Sequence, residues 1–393
     1  MSRLAASSRI SGASSTIAVA FLLTLAAVVA VLSPRAALAQ DGAGAPSAGP
    51  GGGTLAVHGY LTQGWGKTSG PQFYGLTDVG STDFRYAAIQ FRYDRKNDGL
   101  VVQLNNRRLG RSPITDFESS VNVNWAFYER HLGDAAAVKV GRIPIPRGIY
   151  NEQRSIGVLL PLYRAPVVFY DESAYYSETI DGAVVSRTFR DGKPWSVDAS
   201  VYGGGWSTLA YDQSGDVYAV SRIRAENAIG SQLWLNTPLD GLRLGLAAQR
   251  YRWQPIGDAS AQAGDVSIVR EEHASLDGTF TRWFVRAEGE VQHFSDDRFV
   301  SSYAQTGVRV LPKTMLVGEY QIATEHNQTY STDWPSTFDW HRSGGVGLNF
   351  AFAPNLVLKA EHHWDRGIQV EQPANPRDPP SFRYDMVSLS ASF

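Results

Sequence analysis

Read in steps of two from its C-terminus, the chain separates Phe393, Ala391, Leu389 and Val387 from Ser392, Ser390 and Ser388. That alternation predicts a strand with one apolar and one wet face, ending on an aromatic residue. The same period recurs upstream. In 84–93, Ala87, Ile89, Phe91 and Tyr93 oppose Ala88, Gln90 and Arg92. Past the turn Asp94 to Gly99, Leu100, Val102 and Leu104 oppose Val101, Gln103, Asn105 and Arg107. Residues 121–130 read as Val121, Val123, Trp125 and Phe127 on one side, with Asn122, Asn124, Tyr128 and Arg130 toward water. In 283–292, Trp283, Val285, Ala287 and Val291 oppose Arg286, Glu288, Glu290 and Gln292.

From Leu55 onward, about sixteen such strands are expected, an even number that brings both ends to one side. Short turns, such as Leu311-Pro312-Lys313 and Ala353-Pro354-Asn355, are expected to alternate with long polar connections throughout. In hydrocarbon every backbone donor and acceptor needs an internal partner, so a sheet crosses a membrane only by closing on itself. The fold class expected is therefore all-β, a transmembrane antiparallel up-and-down β-barrel. A soluble sandwich would also alternate, but it supplies no reason for the loop lengths to do so. Tyr93, Trp125, Trp195, Trp234, Trp253, Trp283 and Trp364 fall near strand ends, where they are expected to form interfacial girdles.

Composition narrows the picture. A mean hydropathy of −0.23 excludes a bundle of membrane helices. Aromatic content of 11% and 38 glycines suit strands and turns, and the absence of cysteine removes disulfides and thiolate metal sites. Arg3 and Arg9, an apolar run over 16–32, Pro34 and Ala37-Leu38-Ala39 read as a cleaved secretory signal over 1–39. Residues 40–53 form a flexible Gly/Ala/Pro/Ser lead-in, and the barrel occupies 54–393. Cleavage would leave 33 basic against 38 acidic residues, a formal charge of −5, so nucleic acid is not an expected partner. The 8 histidines include no HExxH pair, and neither a GxSxG elbow nor a phosphate-binding glycine loop is present. No enzymatic activity, cofactor or metal is expected.

The longest irregular stretch, 143–178, is the third long connection. Together with the terminal Phe393, this plan resembles the general outer-membrane porins of Gram-negative bacteria, and the segment Gly141 to Glu152 looks like one found in porin-like proteins. The resemblance implies an inward-folded third loop that narrows the channel, a homotrimer in the outer membrane, and a terminal strand read by the barrel assembly machinery through Phe393. The chain departs from the enterobacterial type in lacking a recognisable acidic loop motif. The loop region carries Arg142, Arg147, Arg154 and Arg164 against Glu152, Asp171, Glu172 and Glu178. Either these groups set up a transverse field that sorts solutes, or they pair and hold the loop to the wall. The lumen wall is expected to present Arg92, Arg107, Arg130, Arg187, Arg286, Arg309 and Lys359, with Asp181, Asp198, Glu288, Glu290 and Glu361. The main reading is passive diffusion of small hydrophilic solutes. The alternatives are a channel selective for oligosaccharides or anions, kept open by Tyr150, Tyr163, Phe169, Tyr170, Tyr175 and Tyr176, and a non-conducting structural or adhesion barrel.

Overall fold

The computed structural model describes residues 47–48, 52–112, 121–170, 178–214, 217–256, 267–294, 297–329 and 331–393. The expected signal segment 1–39 and most of the lead-in lie outside these residues. A two-residue strand, β1 (Ser47–Ala48), lies against the start of β2 (Thr54–Thr68). The chain then continues through β3 (Ser81–Arg95), β4 (Asp98–Leu109), β5 (Asn122–His131), β6 (Ala136–Pro144), β7 (Thr179–Phe189), β8 (Ser196–Ser214) and β9 (Val217–Asn236). The second half runs through β10 (Leu242–Ile256), β11 (Ser267–Thr279), β12 (Trp283–Phe294) and β13 (Asp297–Leu311) to β14 (Thr314–His326), β15 (Thr337–Ala353), β16 (Leu356–Gly367) and β17 (Ser381–Ser392).

Each strand from β2 pairs antiparallel with the next, and β17 returns to β2 from Tyr384 opposite Thr68 to Ser392 opposite Tyr60. The 17-stranded sheet less the short β1 is thus a closed barrel of sixteen, with no edge left unpaired. Phe393 carries the closure one residue further: its N–H donates to the Gly59 carbonyl, and the Gly59 N–H donates to the Phe393 carbonyl, both at 3.0 Å. On β15 the exposed outer residues are Val346, Leu348, Phe350 and Phe352; on β17 they are Val387 and Leu389. Their neighbours Asn349, Ser388 and Ser390 are buried on the inner face. This is the apolar-out, polar-in alternation that a lipid-facing barrel requires.

Two of the expected long connections are instead strand. β8 and β9 run on as one long hairpin to Ser214 and Val217, and β12 and β13 extend to Phe294 and Asp297. Polar strand residues there are not loop, because the ladder itself satisfies their backbone groups.

The polar-in rule also fails over one arc. Trp125 faces Gln103 and Val123 faces Leu104, which leaves Asn124 as the extra residue of a β-bulge. The bulge reverses the faces: Val123 is exposed outside, whereas Trp125 and Phe127 are buried inside with Ile143, Ile145, Ile180 and Val184. Arg130 therefore lies on the outer face, bonded to Asp98 at 2.6 Å, and not on the lumen wall. Arg187 is likewise outward, over the Phe189 ring, because Val184 rather than Val185 is the buried member of that pair. Asp181 shares the outer face and pairs with Arg142 at 2.8 Å, both exposed. Among the girdle aromatics, Trp195 and Trp364 are exposed outside, while Trp125 and Trp234 are buried within the barrel.

Candidate constriction within the barrel

The connection between β6 and β7 turns inward and crosses to the opposite wall. Pro144 closes β6, and Pro146, Pro161 and Pro166 in the connection restrict the backbone and remove ladder donors, so the segment beyond does not extend the sheet. It must instead be held by side chains of the inner wall. Arg147 donates to Glu290 of β12 at 2.5 Å and to the Phe169 carbonyl at 2.9 Å, with Glu271 of β11 at 3.8 Å. The Ile149 N–H donates to Glu288 at 3.0 Å. Tyr150 donates its hydroxyl to Gln305 of β13 at 2.5 Å and accepts from Arg286 at 2.9 Å. Tyr170, on the single helical turn Val167–Tyr170, donates to Glu288, which also accepts from Tyr303 at 2.5 Å. Burial raises both loop phenols above the usual tyrosine range, and for Tyr170 the Glu288 carboxylate adds to it, so both remain donors.

The loop's middle is tied further round. Lys359 of β16 donates to the carbonyls of Gly157, Leu160 and Leu162 at 2.7, 2.7 and 2.8 Å. Asn349 of β15 donates to the Pro161 carbonyl at 2.7 Å, and the Tyr163 N–H donates to Glu361 at 2.5 Å. A buried ammonium without an acid partner would be costly; three carbonyls aimed at it replace its lost water. At Gly148, with φ of +63°, a Cβ would run into the Tyr170 hydroxyl and Glu288, so the close approach of loop and wall requires glycine.

Where the loop lies against β11 to β17, the inner wall is dry. Across the barrel the loop also meets β2 and β3 at Thr62 and Phe84, and Val101 and Gln103 are buried, while Tyr60, Gln90, Arg92, Asn105 and Arg107 on β2 to β4 are half-buried on the inner face. Arg92 donates to Asp94 and Glu129, both at 2.8 Å. Facing this arc, Arg154 of the loop lies 3.4 Å from Glu178, which accepts from Asn124 at 3.0 Å and Trp125 at 3.2 Å. Arg164 stands over the rings of Tyr74 and Tyr163, at 5.1 and 5.6 Å from their centres.

The residues expected at the constriction therefore separate. Arg147 is a buried anchor, 4% exposed, and not a water-facing charge. Arg142 lies outside the barrel, because Ile143 takes the inner position at the end of β6. Glu152 is exposed, while Arg154 and Arg164 lie on the loop with the partners just given. Asp171, Glu172, Tyr175 and Tyr176 fall outside the described residues. Among the wall residues, Arg92 and Arg107 face the water-accessible arc, and Arg286 lies under the loop, bonded to Asp277 at 3.1 Å. Arg309 keeps the inner register of Gln305 and Gly307 but stands exposed at the turn. Glu271, His273, Gln305, Gln321 and Asn349 of the inner wall are not among the residues expected from the sequence. The alternation of Glu271, His273, Ser275 and Asp277 along β11 is the signal that would have found the first two.

Sequence comparison finds no matching protein family and no matching curated protein. Solved structures do match. OmpF of Salmonella typhi, in complex with daunomycin, aligns with a TM-score of 0.61 at 10% identity, over 87% of this chain and 98% of that one. The outer membrane channel DcaP of Acinetobacter baumannii aligns at 0.56 with 9% identity, over 88% and 99%. OmpT of Vibrio cholerae lacking loop L8, an outer membrane protein, aligns at 0.52 with 10% identity, over 87% and 99%. The fold of this chain is that of the outer-membrane porins.

Proposed function

We propose that the protein is a channel of a Gram-negative outer membrane through which small hydrophilic solutes diffuse passively between the inward loop and the inner face of β2 to β4. The observation that supports the reading is an asymmetry of the inner face: β11 to β17 are sealed to the loop by buried hydrogen bonds, while β2 to β4 touch it at Thr62 and Phe84 and keep Tyr60, Gln90, Arg92, Asn105 and Arg107 only half-buried. A closed barrel with an apolar exterior needs such a wet interior only if water fills it. The chain is secreted with its first 39 residues removed, and three barrels associate through lipid-facing strands.

Planar-bilayer recording tests this. Ohmic steps with weak charge selectivity are expected. Small currents blocked by one solute would favour a selective channel instead, and a silent protein would overturn both readings. Changing Arg92 and Arg107 to glutamate should raise the cation-to-anion permeability ratio by about twofold or more, because both lie on the wet arc. An unchanged reversal potential under a KCl gradient would place the narrowest point elsewhere.

A further inference from the structure

The inward loop carries one cation whose donors the barrel does not use up. The Arg154 side chain is only 7% exposed, and its ion pair is with one oxygen of Glu178, 3.4 Å from Nε. The other oxygen of Glu178 is already taken by Asn124 and Trp125. Nε and Nη1 of Arg154 complete no hydrogen bond among the described residues. A guanidinium presents five donors in a fixed fork, and donors that have lost water without gaining an acceptor are costly. An acceptor from outside the chain would satisfy them.

A second guanidinium borders the same space. Tyr74, Arg154, Arg164, Ala165, Val167 and Tyr170 line one cleft, with no carboxylate among the described residues that line it. Like charges around a dry space repel unless an anion lies between them. Tyr74 closes the cleft from the connection between β2 and β3, its ring centre 5.1 Å from the Arg164 guanidinium. Its backbone is left-handed, with φ of +46°, an uncommon state for tyrosine that the surroundings must hold. Gln369, from the connection between β16 and β17, donates to the Tyr74 hydroxyl at 2.7 Å, and Glu371 accepts from the Gly75 N–H at 2.8 Å. Three connections thus meet to build the cleft. Its free space is about 10 Å³, room for one oxygen-sized group.

We propose that this cleft binds the carboxylate of a small organic acid, with one oxygen seated between Arg154 and Arg164 and the rest of the solute left in the lumen. Access to the cleft rests on the channel reading above, which the site deepens by naming a class of solute. A planar carboxylate enters a narrow slot edge-on, and its oxygens match the guanidinium fork. A tetrahedral phosphate has no edge that thin. Chloride fits the space but meets the fork at one point only, so it binds more weakly.

The full-length barrel, purified in a neutral detergent, is titrated with carboxyl-labelled acetate, and binding is read from the broadening of the acetate NMR line. Saturable broadening is expected for the wild type, and R154Q/R164Q should weaken the apparent affinity roughly fivefold or more. Because Arg154 also pairs with Glu178, R154K/R164K serves as a second variant: it keeps both charges, removes both forks, and should bind acetate no better than chloride. A control with R309Q, a cation exposed at a turn away from the cleft, should bind as the wild type does. Unaltered heat-modifiable mobility of all variants establishes that the barrels are folded. Equal acetate binding by the wild type and either double variant overturns the proposal. So does a wild type without saturable broadening, which marks a cleft filled by the chain itself. Displacement of acetate by an equal concentration of chloride or inorganic phosphate also overturns it, in favour of a site for any small anion. Binding is read without current, so a silent barrel that binds acetate would refute the channel alone, and a conducting barrel that does not would refute the cleft alone.

Discussion

Replacing Arg147 with alanine is expected to make the open channel noisy and to lower the stability of the folded barrel by about 3–5 kcal/mol, while leaving charge selectivity nearly unchanged. The guanidinium is 4% exposed, and its partners Glu290 and Glu271 are each 2% exposed. Removing the cation leaves two buried carboxylates as diagonal neighbours on β11 and β12, and it frees the Phe169 carbonyl that holds the loop's return segment. The half of the loop near Ile145 and Phe169 should then move, whereas the half near Gly157 stays tied by Lys359. Intermittent widening and closure would appear as current fluctuation. The double variant R147M/E290Q, which removes a charge from each side, should recover part of the lost stability, since most of the cost lies in the uncompensated charge. Single-channel recording with thermal unfolding checks both parts; a quiet trace with a shifted reversal potential would mean that Arg147 reaches water.

That expectation inverts what the sequence suggests for the same residue, and the inversion shows where legibility ends. Period-two alternation identifies sixteen strands because a lipid-facing exterior constrains every second residue to be apolar. It also points to Arg286, Glu288 and Glu290, since β12 is regular and its inner residues from Arg286 to Gln292 are all polar. It fails on Arg130, Arg142 and Arg187 because the interior beside them is not wet. Trp125, Phe127, Ile180 and Val184 pack there with Ile145 of the loop, so both faces of β5 to β7 carry apolar side chains and the rule loses its sign. The Asn124 bulge adds a parity reversal that has no marker in residue type. Arg147 could be placed in the loop but not assigned a role, because its partner lies 143 positions away on β12. Pairing across a barrel is set by closure, which local periodicity does not encode.

Closure is also where the largest effect on assembly is expected. Deleting Phe393 should reduce the yield of inserted, heat-modifiable barrel, and it should slow refolding of the purified chain into lipid vesicles as well. The residue supplies two backbone bonds to Gly59 at the last point where β17 meets β2. At about 1 kcal/mol each, their loss weakens the seam by about 2 kcal/mol, or roughly thirtyfold in the closing equilibrium. Its ring lies over Gly59, where any Cβ would collide with it. Gly59→Leu should therefore displace the ring while keeping the backbone pair, and its refolding defect should be the smaller of the two. Recognition by the assembly machinery predicts a different pattern: deletion would lower insertion in cells but leave refolding into vesicles untouched. If the truncated chain inserts at the normal level in both settings, Phe393 contributes to neither closure nor recognition.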